Sequence, residues 1–203
     1  MATANTDRDW NSKYETGDTP WDSGLPSREL FRILEEQAVT SGRALELGCG
    51  TGTNAIALTE RGFEVTAVDC SPLALNAARQ KSACAGINVE WIEADVQNFG
   101  EGMKPFDLVF DRGCYHCCRR VDLSGYLKTL RNVTQVGSRV LILAGNANEQ
   151  SEYGPPRVTE TELRNELSGL FDIQQIREFR FQDPGGVEGP LGWSTLLFRA
   201  EAG

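Results

Sequence analysis

Short apolar runs alternate with segments of helical periodicity from residue 43 to residue 144. Continuous apolar runs of this length are typical of strands that are buried on both faces of a parallel sheet. We predict five strands in this region, at residues 44–47, 64–68, 89–94, 106–110 and 139–144. The segments between them predict helices near residues 54–61, 72–85 and 123–136. This alternation is the pattern of strand–helix units in an α/β fold.

The alternation of predicted strands and helices changes beyond Pro156. Thr159 and Glu162 have the spacing of a capping box, which predicts a helix that ends at Leu170. Residues 173–181 and 193–199 then predict two strands joined by a loop rich in glycine and proline. Such a pair closes the sheet with one antiparallel strand. The whole pattern predicts a Rossmann-like, seven-stranded, mostly parallel sheet with helices on both faces.

The size of the chain limits it to one domain. Its 203 residues are 40% hydrophobic and 24% charged, which is enough for a single compact core. We expect one globular unit over residues 41–203, preceded by a leading helix and an aromatic lid in residues 1–40.

The charge balance and the apolar runs exclude several classes of partner. The chain has 20 Lys and Arg against 29 Asp and Glu, a net charge of −9. That excess of negative charge opposes a broad phosphate-binding surface, so we expect no nucleic acid partner. No apolar run approaches the roughly 20 residues of a membrane helix, and residues 1–10 lack the apolar core of a signal peptide. We therefore expect a cytoplasmic protein without a membrane partner, and no feature demands a protein partner.

The most informative motif is a glycine-rich turn after the first predicted strand. Glu46 is followed at every second position by a glycine, namely Gly48, Gly50 and Gly52, and a helix then begins. Glycine lets a backbone approach a ligand closely, and a helix N-terminus presents free N–H groups to it. Nicotinamide and flavin folds use a different spacing, G-x-G-x-x-G. The second strand ends on Asp69.

This arrangement resembles motif I of the class I S-adenosylmethionine methyltransferases. The resemblance implies S-adenosylmethionine as cofactor and S-adenosylhomocysteine as product, with the glycine loop and Glu46 behind the methionine half. It also implies that Asp69 takes the two ribose hydroxyls. Asp95 and the backbone of Val96, after the third strand, are the corresponding adenine contacts. Cys70 and Asp111, at the ends of the second and fourth strands, complete the predicted cofactor contacts within the sheet.

The N-terminal segment is unusually rich in aromatic residues for a polar stretch poor in helix. Trp10, Tyr14 and Trp21 need a surface to pack on. They either tether the segment to the core or form a lid that keeps water from the methyl donor, with aromatic faces near its sulfonium. The sequence Thr-Pro-Trp-Asp-x-Gly at residues 19–24 resembles the thiopurine, thiol and halide methyltransferases and their tellurite-resistance relatives. In those enzymes N-terminal tryptophans cover the cofactor, so all three aromatics are predicted cofactor contacts.

The residues after the fourth strand are the candidates for acceptor chemistry. Asp-Arg-Gly at residues 111–113 also resembles the thiopurine methyltransferases, which implies that Arg112 lies beside the acceptor. His116 is the single histidine, and its ordinary pKa suits a general base at neutral pH, although a structural role is the alternative.

Six cysteines without a signal peptide indicate reduced thiols rather than a disulfide framework. Cys114, Cys117 and Cys118 lie close to His116 and could together bind a soft metal or metalloid. A structural zinc site normally draws on two separated ligand pairs, and the sequence has no second pair. We therefore predict no bound metal.

Methyl transfer from a sulfonium requires alignment, exclusion of water and at most the removal of one proton. The resemblance therefore implies an S-adenosylmethionine-dependent methyltransferase whose acceptor is a small soft nucleophile. Thiols, sulfide, selenium or tellurium species and halides belong to that class. An O- or N-methyltransferase of a small metabolite is the close alternative. A nicotinamide-dependent oxidoreductase and a thiol-rich metalloid binder are the remote ones.

Overall fold

The computed structural model of the chain describes residues 9–152 and 154–201. Two helices come first, α1 (Trp10–Thr16) and α2 (Arg28–Glu36). Residues 1–8, which hold most of the segment examined for a signal peptide, lie outside the described residues.

Strands and helices then alternate along the chain. In order they are β1 (Gly42–Leu47), α3 (Thr53–Glu60), β2 (Phe63–Asp69), α4 (Pro72–Ala85), β3 (Glu90–Glu93), β4 (Phe106–Arg112), α5 (Tyr115–Val133) and β5 (Thr134–Asn146). The C-terminal part consists of β6 (Arg157–Val158), α6 (Glu160–Leu167), β7 (Asp172–Gln182) and β8 (Glu188–Phe198).

The strands form one sheet in the order β3-β2-β1-β4-β5-β8-β7, and β6 pairs with the end of β5. Strand β8 is antiparallel to both of its neighbours, whereas the pairs from β3 to β5 are parallel. The predicted α/β fold and its single antiparallel strand are confirmed. The predicted number of strands was one short, because β6 has only two residues and no periodicity to reveal it.

Both faces of the sheet are covered, as a parallel sheet requires. Side chains of β1 alternate between the faces, so Leu45 and Leu47 join one apolar cluster and Ala44 joins the other. The first cluster lies under α5 and α6, and the second lies under α2, α3 and α4. Because β1, β2 and β4 are parallel, the loops that follow them meet at one edge of the sheet.

The N-terminal segment contains more helix than the sequence indicated. Helix α1 is defined by local caps: the Asp9 carboxylate accepts a hydrogen bond from the Ser12 N–H, and Gly17 ends the helix at φ 71°. A helix of only seven residues is marginal alone, so packing against α4 must stabilise it.

Helix α5 begins eight residues earlier than predicted and includes the cysteine-rich segment, which precedes the predicted helix. The helix is interrupted at Asp122 (φ −148°, ψ 88°), whose carboxylate accepts from the Gly125 N–H and so caps the second part. Residues 115–121 have no periodic apolar face, so the sequence pattern did not indicate this part of the helix. The chain then passes into β5 at Thr134, five residues before the predicted start of that strand.

Within the described ranges, the structure contains no helix that is both long enough and apolar enough to cross a bilayer. All six cysteines lie in the described part of the chain, and all six are free thiols, as predicted.

Candidate active site

The loop after β1 is shaped by its glycines. Gly48, Gly50 and Gly52 have φ values of 66°, 54° and 78°, in the left-handed region that other residues rarely adopt. A Cβ atom on Gly48 would lie 2.8 Å from the Cβ of Cys114, and one on Gly50 would lie 2.7 Å from the Tyr14 hydroxyl. Both the conformation and the close approach of neighbours therefore require glycine in this loop.

Asp69, at the end of β2, connects two of the loops at this edge. Its carboxylate accepts a hydrogen bond from the Gly50 N–H and another from the Ser71 N–H, each at 2.8 Å. Burial raises the pKa of the carboxyl group, and these N–H groups oppose that shift. Each oxygen accepts one such bond and can accept another, so the carboxylate can still bind a hydroxyl.

Glu46 presents a buried oxygen that lacks a partner. The side chain is 2% exposed, and its Oε1 accepts a hydrogen bond from Asn54 Nδ2 at 3.0 Å. Its Oε2 accepts no hydrogen bond from any residue that the structure describes. Burial raises the pKa of Glu46 to about 8, against the opposing effects of Asn54 and of the charge on Arg112. An unpaired acceptor of this kind is costly, and a donor on a ligand would explain it.

Two residues at this edge were missed by the sequence analysis. Asn54 donates to Glu46 and accepts from the Ser27 N–H at 2.8 Å, so it joins the glycine loop to the start of α2. The ring of Trp91 on β3 fills the space where a Cβ atom of Gly52 would lie. Asn54 could have been noticed only as a polar residue in the first turn of α3. Nothing in the sequence around Trp91 indicated that it contacts the glycine loop.

The three N-terminal aromatic residues come together over the glycine loop. Trp21 Nε1 donates to the Tyr14 hydroxyl at 3.2 Å, and Trp10 meets Trp21 edge to face with ring centres 5.4 Å apart. The Tyr14 hydroxyl lies directly against Gly50. Burial raises the pKa of Tyr14 well above its usual range, so this phenol stays protonated at neutral pH.

Hydrogen bonds fasten the segment that carries these aromatics to both loops beneath it. Asn11 Oδ1 accepts from the Ser71 hydroxyl at 3.0 Å, beside the end of β2. Asp22 Oδ2 accepts from the Thr51 hydroxyl at 2.6 Å, and Lys81 donates to that same hydroxyl at 2.5 Å. The segment is therefore both a tether and a cover over the carboxyl ends of β1 and β2.

The predicted adenine contacts lie at the same edge. Asp95 is exposed and caps a 3₁₀ turn (Val96–Asn98), in which Val96 is buried. Cys70 is exposed as a residue, but the surrounding protein removes part of the hydration of its thiol; this desolvation and the charge of Asp69 raise its pKa to about 12. Asp95 also contributes to that shift, so these residues face one region. Their contact with a cofactor stays a prediction.

Asp111 is a correction to the predicted cofactor contacts. The side chain is completely buried, and its carboxylate accepts from the N–H groups of Cys114 and Tyr115, each at 2.9 Å, and from the Tyr126 hydroxyl at 2.8 Å. Burial raises the pKa of Asp111 to about 6. This carboxylate caps the start of α5 and leaves no surface for a ligand, so we assign it a positioning role.

His116 is the second correction. The ring is 5% exposed, and its Nδ1 accepts a hydrogen bond from the Gly145 N–H at 2.9 Å. Accepting at Nδ1 places the proton of the neutral ring on Nε2. Neither ring nitrogen then has a free lone pair that could take a proton from a methyl acceptor. The geometry therefore does not support His116 as a general base. The ring instead connects α5 to the end of β5.

The cysteines after β4 do not form a metal site with this histidine. Cys114 and Cys118 lie one helical turn apart with their sulfur atoms separated by 3.5 Å. The neighbouring Cys118 thiol and burial raise the pKa of Cys114 well above its usual range, which disfavours the thiolate that a soft metal needs. In residues 9–152 and 154–201, no group of three or more His, Cys, Asp or Glu side chains is arranged to hold a metal ion.

Arg112 ends β4 and connects two segments that are distant in sequence. It donates to the carbonyl oxygen of Trp21 at 2.9 Å and to that of Gln182 at 3.4 Å, and it lies 5.3 Å from the ring centre of Phe181. Burial lowers its pKa, and the charges of three nearby carboxylates, including that of Glu46, oppose this shift.

A cavity of about 380 Å³ opens on the side of Arg112 that faces the β7–β8 hairpin. It lies between the start of α2 and β7, at the end of the sheet where β4 terminates. Its volume is within the range of sites that enclose small molecules. Arg112 therefore lies between the glycine loop on one side and this cavity on the other.

Comparison with known proteins gives a consistent picture. A family model described as "Methyltransferase domain" matches residues 44–137. The 2-heptyl-1-hydroxyquinolin-4(1H)-one methyltransferase of Mycobacteroides abscessus is 29% identical over 193 residues, covering 87% of this chain and 85% of its own length. "Probable thiol methyltransferase 2" of Arabidopsis thaliana is 25% identical over 172 residues, covering 84% of this chain and 76% of its own.

Solved structures share the fold over nearly the whole chain. One comes from work on the conversion of a disulfide bond into a thioacetal group during echinomycin biosynthesis, with a TM-score of 0.81, 23% identity and coverage of 96% of this chain and 92% of that one. The 1,6-didemethyltoxoflavin-N1-methyltransferase of Burkholderia thailandensis, solved with S-adenosylhomocysteine bound, has a TM-score of 0.70, 20% identity and coverage of 95% and 86%. The glycine loop with its acid and the strand order agree with these matches, and the protein is an S-adenosylmethionine-dependent methyltransferase whose methyltransferase domain includes residues 44–137.

Proposed function

We propose that the protein methylates a small soft nucleophile, such as a thiol, sulfide, a selenium or tellurium species or a halide. The observation that carries this proposal is Arg112, a half-buried cation in the wall of the cavity at the end of β4. A guanidinium group at this place attracts an anionic acceptor and cannot remove a proton from a neutral one.

The residues around the glycine loop fit the cofactor. S-adenosylmethionine supplies an electrophilic methyl group on a sulfonium, which an incoming nucleophile displaces in line. We assign the ribose hydroxyls to Asp69 and the adenine amine to Asp95, with the Val96 backbone beside the ring. The partnerless Oε2 of Glu46 is an acceptor for the ammonium group of the methionine half. Gly48 and Gly50 allow the backbone to approach it closely.

The N-terminal segment with its three aromatic residues, called the aromatic cover below, has a defined role in this proposal. Trp10, Tyr14 and Trp21 exclude water from the sulfonium and offer ring faces to a cation, an interaction of about 0.5–2 kcal/mol. Their hydrogen-bonded attachment to both loops keeps the cover in place. We infer that it must open to admit the cofactor.

Three candidate proton acceptors at this edge of the sheet are poor bases. Burial alone would raise the pKa of Glu29, but hydrogen bonds from Arg32 and Arg177 outweigh it and lower the pKa below its usual value. Tyr14 stays protonated, and His116 uses its Nδ1 on a backbone N–H. These groups favour an acceptor that arrives as an anion, as a thiolate, hydrosulfide or iodide does.

The relatives support an acceptor of this kind. The Arabidopsis relative is named as a thiol methyltransferase and aligns with most of this chain. A second candidate function also has support, because the acceptor named for the Mycobacteroides relative carries a ring hydroxyl. An O- or N-methyltransferase of a small metabolite is therefore the alternative to be tested.

The function is tested by mass-spectrometric detection of S-adenosylhomocysteine after incubation of the protein with S-adenosylmethionine and single acceptors. The panel contains aliphatic and aromatic thiols, hydrosulfide, iodide, catechol and a primary amine. We expect product with the sulfur acceptors and iodide and none with catechol or the amine. Product with catechol or the amine alone would establish the alternative.

Replacing His116 by phenylalanine tests whether the histidine is structural. We expect the free energy of unfolding to fall by about 1–3 kcal/mol, because the buried Gly145 N–H loses its acceptor. Turnover of the folded variant should stay within about threefold of the wild type between pH 6 and pH 9. The measurements are urea unfolding and initial rates with a thiol.

The variant His116→Gln restores an acceptor and should recover part of the lost stability. A general base would behave differently, since its removal typically lowers the rate by about 10²–10⁴. A loss of that size at pH 7 in a folded His116→Phe protein would reinstate the histidine as catalytic.

A further inference from the structure

The cavity beside Arg112 has an unusual charge for this protein. Five arginines and two glutamates line it, three positive charges in excess, although the whole chain carries −9. The lining arginines are Arg28, Arg32, Arg112, Arg177 and Arg180. A concave surface of one sign concentrates ligands of the opposite charge. The cavity is therefore an anion-attracting site on an otherwise acidic protein.

The arginines are not equivalent. Arg32 and Arg177 both bind the buried carboxylate of Glu29, so these two cations and one anion form a fixed group that holds α2 to β7. Arg180 donates to the Gly189 carbonyl oxygen and lies 3.7 Å from the carboxylate of Glu149 and 3.8 Å from that of Glu188. These contacts build the wall of the cavity.

Arg28 and Arg112 differ from the others. Arg112 donates only to carbonyl oxygens, as described above. Arg28 is the first residue of α2, and its N–H donates to Gln182 Oε1 at 3.3 Å. In the part of the chain that the structure describes, its guanidinium forms no ion pair. The positive end of α2 adds to the charge at this point.

The surface between these cations is apolar. Phe179 and Phe181 contact each other edge to face with ring centres 4.7 Å apart, and Leu25 and Val187 line the mouth. Val187 is 63% exposed and Leu25 is 41% exposed. The cavity thus offers a cation at the end of β4, an apolar wall and a second cation at the start of α2.

We propose that the methyl acceptor carries a second anionic group, separate from its reacting atom, which binds at Arg28 with Arg180 beside it. The reacting atom lies towards Arg112, and an apolar body spans the phenylalanine wall. The acceptor class is therefore a small thiol or related soft nucleophile with a carboxylate or sulfonate at its other end. This inference rests on the proposed function only for the reacting atom of the acceptor, which that proposal gives as a soft nucleophile.

The test compares 3-mercaptopropane-1-sulfonate with 3-mercaptopropan-1-ol, which share the thiol and chain length and differ in the anionic group. We expect kcat/KM of the wild type to favour the sulfonate by tenfold or more, chiefly through KM. Arg28→Gln should lower kcat/KM for the sulfonate about tenfold more than for the alcohol. Arg131→Gln, an exposed arginine in the last turn of α5, is the matched control and should keep the preference.

Propane-1-sulfonate, which has no thiol, separates the two proposals. Calorimetric binding of this probe by the wild type and its loss in Arg28→Gln would support the anion subsite even if neither thiol is methylated. Equal kcat/KM for the two thiols would overturn the subsite and leave the function intact. Absence of both product and probe binding would overturn both proposals.

Discussion

Replacing Asp69 by alanine should weaken the binding of S-adenosylhomocysteine by at least about 100-fold. Two hydrogen bonds from the ribose hydroxyls to an ionised carboxylate would be lost, each worth about 1.5–3 kcal/mol. The backbone N–H groups of Gly50 and Ser71 would also lose their acceptor, so the two loops beneath the ligand would no longer be held together. Isothermal titration calorimetry measures the change directly.

Asp107 offers a matched control at the opposite end of the sheet. It lies at the start of β4, and its carboxylate also accepts from a backbone N–H, that of Arg43 at 2.8 Å. Asp107→Ala should therefore disturb a comparable hydrogen bond while the affinity for S-adenosylhomocysteine stays unchanged. Equal affinities for the wild type and a folded Asp69→Ala variant would refute the ribose assignment, and thermal unfolding of both variants checks folding.

The parts of the site that could be predicted from sequence are those fixed by strand ends. Asp69 follows an apolar strand, and Gly48 and Gly50 stand in a turn that only glycine can form, so their positions follow from local pattern alone. The carboxyl ends of parallel strands meet at one edge, and the sequence therefore predicted which residues would be neighbours. The structure brings them together there.

The predicted roles of Asp111 and His116 were corrected for a different physical reason. Asp111 and His116 have the residue types of functional groups, but their hydrogen bonds go to the start of α5 and to β5. Whether a polar side chain faces a ligand or a neighbouring element depends on where a helix begins. Here the helix begins at Tyr115 because Asp111 caps it, and sequence periodicity gave no sign of that.

The cavity could not be predicted for a related reason. Arg28 and Arg180 line the same space although 152 positions separate them, and the hairpin loop between β7 and β8 has no periodic pattern. Their proximity follows from the antiparallel return of β8 and from the packing of α2 on the sheet. Such long-range contacts become visible only in the folded chain.

Replacing Glu46 by glutamine should change stability and cofactor affinity in opposite directions. The pKa of this carboxyl rises from its ordinary value near 4.5 to about 8 in the folded protein, mainly through burial. A raised pKa favours the fold fully below about pH 4.5, and this contribution is lost as the pH rises to about 8. At about 1.4 kcal/mol per pH unit, the loss is of the order of 5 kcal/mol.

Glutamine has no ionisable proton, so the unfolding free energy of Glu46→Gln does not fall in this way as the pH rises. The difference in unfolding free energy between variant and wild type should shift by a few kcal/mol in favour of the variant between pH 5 and pH 9. Other buried acids, such as Asp111 with its pKa of about 6, titrate in both proteins and cancel in the difference. Urea unfolding at a series of pH values measures it.

The effect on binding has the opposite sign. The ionised carboxylate is the proposed acceptor for the cofactor's ammonium group, and losing a charge-assisted bond of about 1.5–3 kcal/mol weakens binding about 10- to 100-fold. Affinity of the wild type should rise as the pH increases from 6 to about 7.5, because binding requires the carboxyl to release its proton while the amino group of the ligand keeps its own. The affinity of Glu46→Gln should lack this rise.

Glu90→Gln is the control, since Glu90 lies on the neighbouring strand β3 and accepts from the Thr66 hydroxyl at 2.7 Å. Its pH profiles of stability and of affinity should follow those of the wild type. Parallel profiles for the wild type and Glu46→Gln would mean that this carboxyl does not titrate between pH 5 and pH 9, whereas equal affinities of the two proteins for S-adenosylhomocysteine would refute the ammonium assignment. Divergence of both profiles would show that a carboxylate costly to the free protein is retained because the cofactor needs it.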